Sequence, residues 1–125
     1  MAKMKMLTKE EIVDTKDISI EIVEVSEWGG SVGIKRMSGA ERDEYDQALY
    51  NRSDDKGKIT NVKGVKVLLL SRTICDTKGN LLFPENADRE ILRQKSASAI
   101  ERLFEKAGAL NGIGPEEVKE LGKKL

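Results

Sequence analysis

Two segments near the start of the chain alternate between apolar and polar residues, which is the spacing of a β-strand. The alternating residues are Ile18, Ile20 and Ile22 in the first segment and Val32 and Ile34 in the second. The apolar phase of the first segment slips to Val23 and Val25, which predicts a bulge or a break near Val23. Between the segments, Trp28 precedes Gly29 and Gly30, and glycine reaches positive φ without steric cost. The pattern therefore predicts an antiparallel hairpin that turns at these glycines.

Helix starts are predicted by the spacing Ser/Thr-x-x-Glu, in which the two side chains bond to each other's backbone amides. Ser38 and Glu41 have this spacing and predict a helix from Gly39 to about Asn51, with an apolar face. That face consists of Tyr45, Ala48 and Leu49. Thr8 and Glu11 predict a second, short helix over Lys9 to about Thr15. Such a short helix is marginal in isolation.

The most apolar part of the chain is Val62 to Cys75. Val62, Val65, Leu69 and Thr73 fit helical spacing, with Leu68 beside them, whereas Val65, Val67 and Leu69 also fit a strand. Because its length favours a helix, we interpret this segment as the central core helix. Cys75 is then expected at or just past the helix end, as a small buried hydrophobe.

The segment after Cys75 predicts a glycine turn and a second group of helices. Asp76–Asn80 is the turn, and the apolar residues 81–83, ending in Phe83, should pack on the core before Pro84. Asn86 or Asp88 is expected to cap a short helix that carries Ile91 and Leu92, and Ser98 with Glu101 predicts a further capped helix.

That further helix carries one apolar stripe, consisting of Ala99, Ile100, Leu103, Phe104, Ala107 and Leu110. Asn111, Gly112 and Ile113 predict a Schellman end for it. Gly114 and Pro115 predict a last helix, anchored by Val118 and Leu121. The fold class expected from these elements is α+β: a small, mostly helical single domain with an N-terminal antiparallel β-hairpin. We expect this domain to span residues 18–125, after a flexible N-terminal segment, residues 1–17.

Composition excludes several kinds of chemistry. The chain has no histidine, which rules out His-based nucleophile pairs and His-based metal sites. It has one cysteine, which rules out an internal disulfide. Lys+Arg and Asp+Glu both number 22, a balance that argues against nucleic-acid binding. No apolar run is long enough for a membrane span. The spacing from Gly29 to Gly33 lacks the context of a phosphate-binding loop. We therefore expect no enzyme, no cofactor and no metal.

Trp28 and Phe104 have two possible roles, as anchors for a binding partner or as core residues. Core packing is favoured for Trp28, and more strongly for Phe104.

Three stretches in order resemble the tail assembly chaperones of long-tailed bacteriophages. They are residues 28–45, which run from Trp-Gly-Gly to Met-Ser-Gly-Ala-Glu-Arg-Asp-Glu-Tyr; residues 75–83, Cys-Asp-Thr-Lys-Gly-Asn-Leu-Leu-Phe; and residues 110–118, Leu-Asn-Gly-Ile-Gly-Pro-Glu-Glu-Val. The resemblance covers nearly the whole chain from about Leu7.

The resemblance implies a protein of the host bacterial cytoplasm that coats the tape measure protein, keeps it soluble, recruits tail tube subunits and is absent from the virion. It also implies self-association and a phage or prophage origin. The apolar surface offered to the tape measure protein is expected from the run Val65–Leu70 and from the N-terminal segment. The candidate interaction or structural residues are Trp28, Gly29, Gly30, Ser38, Glu41, Leu68, Leu69, Phe83 and Phe104.

Two other functions stay open. One is a structural tail completion or head–tail connector subunit that remains in the particle. The other is a small DNA-binding regulator, which the neutral charge disfavours.

Overall fold

The computed structural model describes residues 4–56 and 63–113. In these ranges the chain forms five α-helices, three β-strands and one 3-10 turn. In chain order they are α1 Lys9–Asp14, β1 Ile20–Val25, the 3-10 turn Ser26–Trp28, β2 Gly30–Lys35, α2 Gly39–Tyr50, α3 Val65–Ser71, β3 Ile74–Cys75, α4 Asn86–Arg93 and α5 Ala97–Leu110. The predicted α+β fold with an N-terminal hairpin is confirmed.

The three strands form one antiparallel sheet in the order β1-β2-β3. The β1–β2 ladder runs without interruption from the pair Ile20–Lys35 to the pair Val25–Gly30, so the predicted bulge or break near Val23 is wrong. The phase change has a simpler cause: both faces of β1 carry apolar residues. Val25 is fully buried on the core face, whereas Ile22 on the other face is 59% exposed.

Gly29 makes the hairpin turn, as predicted. It has a φ of +72° and closes the 3-10 turn by donating its amide to the Ser26 carbonyl at 3.1 Å. Gly30 already belongs to β2, where it pairs with Val25. Only one of the two glycines therefore supplies the positive φ that the turn needs.

The third strand follows a core helix that is shorter than predicted. α3 begins after Gly64, which has a φ of +77°, and ends at Ser71. The hydroxyl of Thr73 donates to the Leu69 carbonyl at 3.0 Å, and the chain then extends to pair Ile74 with Ile34 in β2. Sheet pairing with a distant strand thus overrides helical spacing at the end of this segment. Val62, the predicted start, lies outside the described residues.

Cys75 is buried, as predicted, but it lies in β3 rather than at a helix end. Burial raises the pKa of its thiol, which keeps the sulfur in the protonated, unreactive form.

The core lies between the sheet, α3 and α5. α3 packs on α5 and α4, and α5 also packs on β2. Five of the six predicted stripe residues of α5 are buried, and Leu110 packs at the edge of the same core. The Schellman end is confirmed, because Gly112 has a φ of +72° and the Ile113 amide donates to the Gly108 carbonyl at 2.8 Å.

Two of the predicted helix caps are confirmed and two are wrong. Reciprocal bonds join Thr8 with Glu11 and Ser38 with Glu41. α4 is instead capped at Glu85, whose amide donates to Asp88, so neither Asn86 nor Asp88 is the cap residue. α5 begins two residues early, because Ser96 rather than Ser98 accepts the Ala99 amide. In both places a second polar residue upstream competes for the cap position.

The turn after β3 forms as predicted: the Asp76 carboxylate accepts the Lys78 and Asn80 amides at 2.8 and 3.0 Å, and Gly79 has a φ of +86°. Phe83 is half-buried against the core, whereas Leu82 is exposed. The predicted last helix after Pro115 lies outside the described residues.

Candidate interaction surfaces

Three of the candidate residues lie inside the molecule. Leu68 and Leu69 of α3 and Phe104 of α5 are each at most 4% exposed and belong to one core cluster. The ring of Phe104 also lies beneath the Lys66 ammonium, 5.9 Å from the ring centroid, and Lys66 pairs with Glu101. These side chains stabilise the fold and present no surface to a partner in this conformation.

Ser38 and Glu41 fix the junction between the hairpin and α2. The Glu41 carboxylate accepts the Ser38 amide at 2.8 Å and the Lys35 ammonium at 2.9 Å. Burial pushes the pKa of Glu41 up, but the Ser38 amide and the Lys35 ammonium outweigh it and the net effect is a lowered pKa. The carboxylate therefore ties the last residue of β2 to the first turn of α2.

The hairpin turn is held against α5 by an ion pair. Glu27, next to Trp28, accepts two guanidinium bonds from Arg102 at 2.8 and 2.9 Å and the Ser98 hydroxyl at 2.9 Å. The Arg102 bonds, the Glu27 amide and the Ser98 hydroxyl lower the Glu27 pKa from 4.5 to about 2. Trp28 is half-buried and packs on the core, so its larger role here is structural.

A groove of about 460 Å³ lies between β1 and α5. Ile22 and Val23 provide its apolar wall on β1, and Arg102, Lys106 and Ala109 line its α5 side. Glu21 pairs with Lys106 across it at 2.7 Å. The ion pairs at Glu21 and Glu27 thus connect β1 and the turn after it with α5.

The N-terminal segment is the part of the described chain with the most exposed apolar side chains. Met4 and Met6 are 93% and 90% exposed, and Leu7, Ile12 and Val13 are all more than half exposed. α1 has no buried residue, although its capping box is complete. Ile12 and Val13 are therefore carried by a helix with a defined start, whereas the other three side chains precede it.

Other kinds of site find no support in the described part of the chain. No group of His, Cys, Asp and Glu side chains in residues 4–56 and 63–113 could hold a metal ion. None of the helices in these ranges is long and apolar enough to cross a membrane.

Comparison with known proteins decides the family. The family model described as phage tail assembly chaperone matches residues 9–124. The chain belongs to the phage tail assembly chaperone family. The family match agrees with the resemblance carried by the three sequence stretches, and it extends over α1.

Among solved structures, the chain is similar to the "Structure of bacteriophage HK97 tail assembly chaperone". The TM-score is 0.55, the sequence identity is 24%, and the match covers 81% of this chain and 94% of that chain. At this identity the likeness concerns the fold alone. No sequence among curated proteins matches significantly.

Sequence reasoning missed the contacts between Glu27 and α5. Arg102 and Ser98 lie more than 70 positions away from Glu27, so no local spacing signals the pair. The only indication was the acidic bias of Glu10–Glu27, which holds seven acidic residues and one basic residue.

Proposed function

We propose that this tail assembly chaperone binds the tape measure protein of its phage and keeps it soluble while tail tube subunits are recruited. It acts in the host bacterial cytoplasm, self-associates on its client and is not retained in the virion. The role is one of binding and release, without catalysis. Membership of the family supports the proposal, and the exposed N-terminal segment supplies a surface for it.

The observation that carries the proposal is the exposure of the apolar side chains in residues 4–17. Ile12 and Val13 are neighbours on α1 and are 59% and 71% exposed, and Leu7 lies just before its cap. A short amphipathic helix that gains its stability on a partner is a recurrent way to bind apolar helical segments. Residues 1–17 thus serve as a separable binding segment, and residues 18–125 form the domain that carries it.

The run Val65–Leu70, the other predicted source of apolar surface, is unsuited to this task in the folded chain. Leu69 and Leu70 are completely buried, and Val65, Val67 and Leu68 are at most 4% exposed. Offering them to a client would require α3 to leave α5. The free energy of that opening would be a large part of the stability of a small domain.

Co-purification tests the proposal. The full chain, carrying a tag after its last residue, is co-expressed with overlapping fragments of the tape measure protein. We expect soluble complexes with the wild-type chain and a marked loss with the Ile12→Gln/Val13→Gln variant. The matched control is Ile91→Gln, which changes a helical isoleucine that is 50% exposed on α4.

The main alternative is a tail completion or head–tail connector subunit. Mass spectrometry of purified virions separates the two functions. Presence of the protein in mature particles, together with no complex with any tape measure fragment, would favour the structural role.

A further inference from the structure

Four cationic side chains gather on the side of the molecule where α2 ends and α4 begins. Arg72 caps the end of α3, Arg89 and Arg93 lie one turn apart on α4, and Arg52 follows α2. Together with Lys63 and Asn86, three of these arginines line an open cavity of about 210 Å³. Arg72 does not line the cavity, but its charge and that of Arg52 act on Arg89.

Arg89 lies among positive charges. Partial burial and the nearby charges of Arg72 and Arg52 together lower the pKa of its guanidinium. Its side-chain bond is to the neutral amide oxygen of Asn86. Within residues 4–56 and 63–113, no carboxylate lies at ion-pair distance from Arg89.

Arg93 and Arg72 each have a carboxylate beside them. Glu90 pairs with Arg93 at 2.8 Å on the rim of the cavity. Glu44 reaches Arg72 only at 3.8 Å and its side chain is 62% exposed, a geometry in which an ion pair stabilises little. The Nε atom of Arg72 is buried and has no hydrogen-bond acceptor among the described residues.

This arrangement opposes folding in the free protein. Like charges that are close together and partly desolvated repel each other, and a buried donor without an acceptor costs free energy. An oxyanion in the cavity would offset the repulsion at Arg89, because a guanidinium fork matches the two oxygens of a carboxylate.

We propose that the cavity formed by Arg52, Arg89 and Arg93 is an oxyanion site that takes a carboxylate side chain from an acidic segment of a protein partner. A polyanionic nucleic acid fits less well, because the chain has no net positive charge and Glu90 lies at the rim. The proposal is independent of tape measure binding through the N-terminal segment, and it holds for any acidic segment that reaches the cavity.

A short, end-blocked polyglutamate peptide is the probe, titrated into the full-length protein and followed by NMR of the arginine Nε–H groups. We expect the Arg89 side-chain signal to shift and the peptide affinity to fall with added salt. Arg89→Gln should weaken binding by about tenfold to a hundredfold, the range for losing charged hydrogen bonds. Arg89→Lys, which keeps the charge and loses the fork, should bind with intermediate affinity.

Arg36→Gln is the charge-matched control, since Arg36 is exposed and lines a different cavity. It should bind the peptide like the wild type. Equal affinity of Arg89→Gln and Arg36→Gln, or equal binding of the matching polyglutamine peptide, would overturn the proposal. A response to inorganic phosphate without one to the peptide would mean an adventitious ion only.

If Arg89→Gln does not fold, the NMR titration of the wild type and the affinity of Arg89→Lys still test the proposal. Failure of this titration leaves the tape measure experiment unaffected, because that experiment alters Ile12 and Val13 and not the arginine cluster.

Discussion

Gly33 of β2 lies between the two neighbouring strands, where it pairs with Ile22 of β1 and Cys75 of β3. A Cβ atom at this position would lie 2.9 Å from the Cys75 carbonyl oxygen and 3.0 Å from both the Cys75 sulfur and a methyl group of Ile20. β3 can therefore pair with β2 in this way only because residue 33 has no side chain. The alternation of apolar and polar residues along β2 does not indicate this requirement.

We expect Gly33→Ala to destabilise the protein by about 1–3 kcal/mol, the usual cost of overpacking against groups that cannot move away. Gly30→Ala in the same strand is the control, because nothing lies within 4 Å of a Cβ there. Urea denaturation measures both. Equal unfolding midpoints for the two variants would show that the contact with β3 is looser than described.

Glu27 gives the free energy of unfolding a defined acid dependence. Its folded-state pKa of about 2 lies below the ordinary value of 4.5, so its contribution is fully present above pH 4.5. That contribution is lost as the pH falls towards 2, when the carboxylate is protonated and releases Arg102.

Glu27→Gln should therefore be less stable than the wild type at neutral pH, and the difference should close as the pH falls from about 4.5 towards 2. Arg102→Gln should show the same pH dependence, and the double variant should add little to either single change. Denaturation curves over this pH range test the pair. A difference that stays constant over the range would mean that the ion pair does not form.

At the scale of elements, the caps decide where the helices begin. α2 begins directly after Ser38, because the Ser38 hydroxyl accepts the Glu41 amide at 3.2 Å while the Glu41 carboxylate accepts the Ser38 amide and the Lys35 ammonium. The cap therefore sets the helix start and connects the helix to β2.

Ser38→Ala should cost about 1 kcal/mol of stability without a change of fold, whereas Ser38→Gly should cost only a few tenths, because glycine is tolerated at a cap. Equilibrium denaturation with a far-UV readout compares them. An alanine variant with the midpoint of the wild type would contradict the cap assignment.

Elements specified by nearby residues could be predicted from the sequence, and elements specified by distant contacts could not. The Ser38 cap and the buried stripe around Phe104 depend on spacings of three and four residues, and both are confirmed. β3 depends on pairing with β2 some 40 residues away, and the helical spacing wrongly predicts its residues as the end of the core helix. Ser98 has the predicted spacing, but Ser96 caps the helix and the Ser98 hydroxyl donates to the distant Glu27 carboxylate instead.

The same division applies to the candidate surfaces. The sequence indicates the exposed N-terminal segment, because its predicted helix is short and isolated. No local pattern indicates the Arg89 cavity, because its residues come from three helices and their ends. Leu68 and Leu69 lie in the core helix, as predicted, and their burial argues against the run Val65–Leu70 as a binding surface in the folded chain.

On the scale of the whole molecule, the chain combines a packed domain with an N-terminal segment whose apolar side chains are more than half exposed. The net charge is zero, so long-range attraction adds little to client binding, and an apolar contact through α1 should survive moderate salt. We expect residues 4–17, and not the core helix α3, to contact the tape measure protein.

Hydrogen–deuterium exchange of the free chaperone and of its complex with a tape measure fragment tests this claim most directly. Peptides from residues 4–17 should become protected in the complex, while those from α3, residues 65–71, should exchange as slowly as in the free protein. Faster exchange in α3, or unchanged exchange in residues 4–17 in a complex that has formed, would contradict the account.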